Sequence, residues 1–130
     1  MIIRIKILKF QDTLKAYWLI TLHKKNITMY VVMNKMQCLP EFREKFEELF
    51  QTRAHAIDRM QGFKGMWLLR SETQTNEYIV LTLWESEHHF RNWVKSPEFL
   101  EGHQRGFAIM ASAQERPLTS TIEKYQVIAQ

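Results

Sequence analysis

The sequence predicts an α+β domain of ferredoxin-like order, β-α-β-β-α-β, built on an antiparallel sheet. Three observations predict it. Two extended runs, Met29–Cys38 and Glu77–Trp84, are apolar on both faces, the first of them over its first half, as strands buried on both faces are. Between them a stretch from about Glu41 to Met60 spaces its apolar residues by three and four, as one face of a helix should. After the second run, polar turn chemistry and a proline punctuate two further helical patterns and a last strand.

In chain order, MYVVMNKMQC is apolar on both faces in its first half, with Tyr30, Val32 and Met36 on one side and Val31 and Met33 on the other. Asn34 falls on the Tyr30 face, where an amide needs a partner because burying it unpaired costs about 1–3 kcal/mol. Pro40 then opens the long helix, whose stripe is Phe42, Phe46, Leu49, Phe50, Ile57 and Met60, with Arg53 inside it. Gly62 ends that helix, and FKGMWLLR (63–70) and EYIVLTLW (77–84) form a hairpin through SETQTN. Ile79, Leu81 and Leu83 oppose Tyr78, Val80 and Trp84, so this strand is again apolar on both sides. Two short helices follow, divided at Ser96-Pro97: the proline ring drives Ser96 out of the helical basin and is itself favoured as a first helical residue. The first presents Trp93 inward; the second carries Phe99, Leu100, His103 and Phe107 on one side and is expected to close at Gly106. A loop through Pro117 leads to a last strand at about 121–128. A four-stranded sheet with helices on one face leaves its other face to something else. Strands apolar on both sides predict a homodimer that closes two sheets into a barrel.

With 130 residues and 45% hydrophobic side chains, the chain can bury the core of one domain. Cys38 is the single cysteine, which excludes an internal disulfide and suits a reducing cytoplasm. Six of the 18 basic residues but one of the 14 acidic ones lie in residues 1–28, which leaves 29–130 with a net charge of −1. The basic balance therefore belongs to that leader and does not point to a nucleic-acid partner. The longest apolar run of the leader, Ala16–Leu22, is far short of the roughly 20 residues that span a bilayer, so no membrane span is expected. Residues 1–28 read as a dispensable amino-terminal extension, and 29–130 as the functional domain.

Nucleotide-binding, Walker, serine-hydrolase and zinc-protease motifs are all missing. His88 and His89 occupy adjacent positions on a first helical turn and read as solvated. Four polar or amphipathic groups remain on inward faces: Asn34, Arg53, Trp93 and His103. Each alone has a commoner structural fate, such as a satisfied core histidine or a snorkelling arginine. Converging from separate elements on one apolar space, they have the character of a binding site. A neutral, buried imidazole is also a strong ligand for a metal or for haem iron.

VVMNKM (31–36), RAHAIDRMQGFKGMWLLR (53–70), LTLWES (81–86) and FRNWVKSPEFLEGH (90–103) resemble the IsdG-type haem-degrading monooxygenases. These belong to the antibiotic-biosynthesis-monooxygenase superfamily of dimeric α+β barrels, and the resemblance runs from about 29 to 128. It implies a catalytic site of Asn34, Trp93 and His103, with His103 as the proximal ligand of haem iron. Asn34 would offer an N–H on the dioxygen side, and Trp93 would press the porphyrin out of plane. Arg53 could pair with a haem propionate. Haem would be both cofactor and substrate, opened to a bilin with release of iron. Dioxygen would be consumed, and electrons would come from an external reductant through a partner reductase. Two alternatives use the same fold: a cofactor-independent monooxygenase acting on a quinol or polyketide, and a non-catalytic haem-binding module.

Overall fold

The computed structural model describes residues 12–15, 28–110 and 118–130. Most of the expected extension, 1–28, and the loop at 111–117 lie outside the described residues. Met1–Thr28 with Val127–Gln130 form one compact unit, in which residues 12–15 make a helical turn. Met29–Gln126 form the other.

Strand β1 (Tyr30–Cys38) leads through a 3-10 turn at Pro40–Phe42 into helix α1 (Arg43–Gln51). A second 3-10 turn, Ala56–Arg59, precedes strands β2 (Phe63–Arg70) and β3 (Glu77–Trp84). Helices α2 (Glu87–Val94) and α3 (Pro97–Met110) come next, then strand β4 (Leu118–Gln126). The sheet order is β2-β3-β1-β4 with every neighbour antiparallel, the ferredoxin-like arrangement.

Because side chains alternate along strands, the register assigns each residue to a face. Tyr30 pairs with Trp84, Val32 with Thr82, Asn34 with Val80 and Met36 with Tyr78, so these all face the helices. Two separate core clusters form on that face. One holds Tyr30, Val32, Ile57, Trp84 and Phe90, the last contributed by α2. The other holds Cys38, Phe46 and Tyr78, with Phe46 contributed by α1. Aromatic edges knit both: Trp84 meets Phe63 at 5.4 Å and Phe90 at 5.9 Å, and Phe46 meets Tyr78 at 4.9 Å.

Three boundaries differ from the sequence reading. The long helix expected to Met60 stops at Gln51, because Thr52 caps it and His55 adopts a left-handed backbone (φ 58°). Arg53 is therefore a loop residue and not part of a helical stripe. Helix α3 runs through Gly106, whose position requires no special backbone and packs near Leu49. A lone helical glycine costs only about 0.5–1 kcal/mol relative to alanine, too little to end a helix. Strand β4 begins three residues earlier than expected, where Leu118 finds Cys38 as its partner. The Ser71–Asn76 connection is as expected, with the Ser71 hydroxyl accepting from the Gln74 amide (2.9 Å) and Asn76 in the left-handed region.

Replacing Phe46, which is 2% exposed, by alanine removes the buried α1 side chain of its cluster and should cost about 3–5 kcal/mol. Phe107→Ala, at a residue 72% exposed, should stay within about 0.5 kcal/mol. Denaturant midpoints of the two variants check this, and equal losses would contradict the packing described.

Candidate functional site

Between the two clusters one row of side chains crosses the sheet: Leu68, Val80, Asn34 and Ile122, each in register with the next. Ile122 is 55% exposed although it faces the helix side, so the β4 end of this row is open. Asn34 stands in the middle with its Oδ1 buried and without a hydrogen-bond partner. Orphaned buried polar atoms are uncommon in folded chains, and one aimed into an apolar row is a feature that a ligand can satisfy.

The two helices beside this row are positioned by local chemistry that the sequence announces. The Ser86 hydroxyl caps α2 by accepting from the His89 amide (3.4 Å) and also contacts His89 Nδ1 at 2.7 Å. His89 is thereby half-buried against Gly62, unlike the solvated pair expected; His88 is exposed. Ser96 joins the helices: its hydroxyl donates to the Trp93 carbonyl (2.7 Å) and accepts from the Phe99 amide (3.2 Å). Trp93, packed on the Tyr30 cluster, meets Phe99 edge-on at 5.6 Å, and Phe99 meets His103 at 4.1 Å. Trp93 and His103 thus belong to one run of rings.

His103 does not point into a core. It is exposed, as are Leu100 (58%) and Phe107 (72%), so most of the apolar stripe of α3 is uncovered. Helical periodicity shows which residues share a face; it does not show that another element lies over that face. The ring is nonetheless fixed. Nδ1 lies 2.9 Å from the Phe99 carbonyl, which can only accept, so Nδ1 is the donor and Nε2 takes no part in that bond.

Arg53 sits elsewhere. It lines a groove of about 410 Å³ with Glu47, Phe50, Gln51, Met66, Leu68, Arg70 and Tyr78. Its guanidinium is forked onto Asp58, with Nη1–Oδ1 at 2.9 Å and Nη2–Oδ2 at 3.3 Å, and His55 Nδ1 reaches the same carboxylate at 2.8 Å. Arg53 therefore does not share walls with Trp93 and His103. Leu68 connects the two regions, since it walls the groove and also begins the row that leads through Val80 to Asn34.

Two further polar systems were not visible in the sequence. Arg105 of α3 donates to the Thr52 carbonyl (3.1 Å) and hydroxyl (2.8 Å), capping α1 across 53 residues of chain. In the groove, the buried Tyr78 hydroxyl donates to Glu47 (2.7 Å) and accepts from Arg43 (3.3 Å), while Arg70 pairs with Glu47 at 3.0 Å. Burial pushes the Tyr78 phenol up, and the Tyr78 hydrogen bond, with Arg70 behind it, holds Glu47 below the usual carboxylate value. Asp58 is likewise held down, chiefly by Arg53 and then by His55. Among the described residues no cluster of three or more His, Cys, Asp or Glu is placed to hold a metal ion.

A depressed carboxylate contributes stability that is complete above its unfolded value, about 4. That contribution is lost as pH falls through the lower folded value. Stability should accordingly decline on acidification below about pH 4.5, and Glu47→Gln should make the decline shallower. Denaturant midpoints of both proteins between about pH 6 and 3 provide the check; parallel curves would remove Glu47 from the account.

Residues 29–105 match the antibiotic biosynthesis monooxygenase family. A staphylobilin-producing haem oxygenase of Staphylococcus saprophyticus is 35% identical over 78 residues, 58% of this chain and 74% of that protein. The haem degrader MhuD of Mycobacterium tuberculosis, solved with two haems in its active site, is 28% identical; the match covers 78% of this chain and 97% of that one, with a TM-score of 0.58. SnoaB, a cofactor-independent oxygenase of Streptomyces nogalater, shares the fold at 22% identity and a TM-score of 0.62, covering 78% and 95% of the two chains. On the length and identity of these matches, the chain belongs to the antibiotic biosynthesis monooxygenase family.

Proposed function

We propose that this protein is a haem-degrading monooxygenase, which takes haem as substrate and opens it oxidatively to a bilin with release of iron. The observation that carries this reading is His103: an exposed imidazole whose Nδ1 proton is committed to the Phe99 carbonyl, leaving the Nε2 lone pair free for iron. The relationship to a haem oxygenase supports it. The surroundings fit a porphyrin. The row Leu68–Val80–Asn34–Ile122 offers an apolar strip on which Asn34 is the polar break, and its Oδ1 is unpartnered. Leu68 and Asn34 stand two strands apart, about 10 Å, so a flat macrocycle along this row can reach from Asn34 toward Arg53.

When bound, haem supplies the redox chemistry with dioxygen and electrons from an external reductant, delivered by a partner reductase. The residues of this chain do the rest. His103 would bind the iron, its tautomer held by the Phe99 carbonyl. Asn34 would offer an Nδ2–H group to bound dioxygen, and Trp93, braced by the Tyr30 cluster and Phe99, would press on the macrocycle. Arg53 would pair with a propionate.

His103→Ala should weaken haemin binding, shift the Soret band and abolish turnover. Asn34→Ala should still bind and turn over about 100-fold more slowly, as when a preorganised donor is lost. Trp93→Phe should keep part of the activity that Trp93→Ala loses. Haemin titration followed by ascorbate, read as Soret decay, measures all four. An unchanged spectrum in His103→Ala would overturn the ligand assignment, and a wild type that binds no haemin would favour a SnoaB-like oxygenase.

We also infer a homodimer through the outer sheet face. There Trp67, Leu69 and Tyr125 are 49%, 42% and 47% exposed beside the half-buried Val31, Met33, Ile79 and Leu81. Sedimentation at micromolar concentration should give a dimer, and Trp67→Lys should shift it toward monomer; a monomeric wild type would overturn this. Among the described residues no helix is long and apolar enough to cross a membrane. With the buried free thiol of Cys38, the cytoplasm is the compartment we propose.

A further inference from the structure

The groove beneath α1 contains two arginines whose partners differ in kind. Arg70 pairs with Glu47, and both are walls of the groove, so their charges cancel within it. Arg53 is also a wall, but its partner Asp58 is not. The groove therefore holds a cation whose neutralising carboxylate stands outside.

The fork between them uses the Nη1 and Nη2 end of the guanidinium and both carboxylate oxygens. A second carboxylate seeking that end must replace Asp58. Such replacement is easy for two reasons. The pair is partly exposed, 24% for Arg53 and 37% for Asp58, and solvent-screened pairs are weak. Asp58 would also keep a partner, since His55 Nδ1 contacts Oδ2 at 2.8 Å from a backbone held in the left-handed region.

We propose that Asp58 is a specificity-determining residue, an internal carboxylate that occupies Arg53 until a carboxylate of the ligand takes its place. The site then selects tetrapyrroles that bear a free carboxylate at the Arg53 end, and Asp58 sets how strongly that group is demanded. The inference rests on the haem reading and adds to it the residue that competes with the substrate.

Haemin and its dimethyl ester, titrated in parallel by Soret absorbance, separate the two. Asp58→Asn should bind haemin about 2–5-fold more tightly, the factor corresponding to loss of one exposed competing pair. It should bind the ester as the wild type does. Arg53→Ala should bring haemin down to the affinity of the ester. Because Asp58 is more than a third exposed, its amide variant should fold, and an unchanged thermal midpoint verifies that. Asp58→Asn binding haemin equally or more weakly, or tightening both ligands alike, overturns the proposal and leaves the haem reading intact. A wild type that binds neither ligand removes the haem reading, and this inference with it.

Discussion

The alternation of the central strand β1 is the constraint on which the remaining structure depends. β1 is hydrogen-bonded on both sides, to β3 and to β4, so its register is held along its whole length. A slip of one residue would send Tyr30, Val32 and Cys38 to the outer face and carry Asn34 with them. Both core clusters are anchored on this strand, one at Tyr30 and Val32 and the other at Cys38. Asn34 lies between these anchors. Its placement needs no device of its own: the packing that pins the hydrophobic residues also fixes an amide at the centre of the sheet.

What was legible in the sequence was what local chemistry decides. The faces of β1 and β3 follow from a period of two, and the Ser71–Asn76 hairpin from turn residues. The Ser96 cap follows from a serine before a proline, and all of these involve neighbours in the chain. The unread features involve distant partners. The end of α1 is capped by Arg105, and no property of residues 41–60 reveals that Thr52 will find this partner on α3. His103 was correctly placed on a stripe with Phe99, but whether that stripe is covered is a question of tertiary packing. Asn34 could be assigned to a face; that its Oδ1 finds no partner there could not be read.

The early end of α1 has consequences out of proportion to its size. At 1.5 Å per residue, a helix from Glu41 to Met60 would be about 30 Å long, close to the length of a nine-residue strand. It could cover the helix-facing side of β1 from end to end. The actual α1 has nine residues, about 13 Å, and α2 has eight, so each serves one cluster. The strip between them, with Asn34 at its middle, is left without a helix of its own.

The same break creates the polar chemistry around the strip. Ending α1 at Gln51 frees the Thr52 carbonyl for Arg105, which ties α3 and its His103 to this point. It also puts Arg53 in a loop where its side chain can line the groove and fork onto Asp58. His55 takes a left-handed backbone in that short linker, a conformation uncommon for a residue with a Cβ, and is held there partly through Asp58. Strain of this kind persists where surrounding contacts over-determine it, and it gathers at sites that bind. A helix that simply continued would have satisfied its backbone internally and covered the sheet, but it would have left neither a cation at the groove nor an anchor for α3.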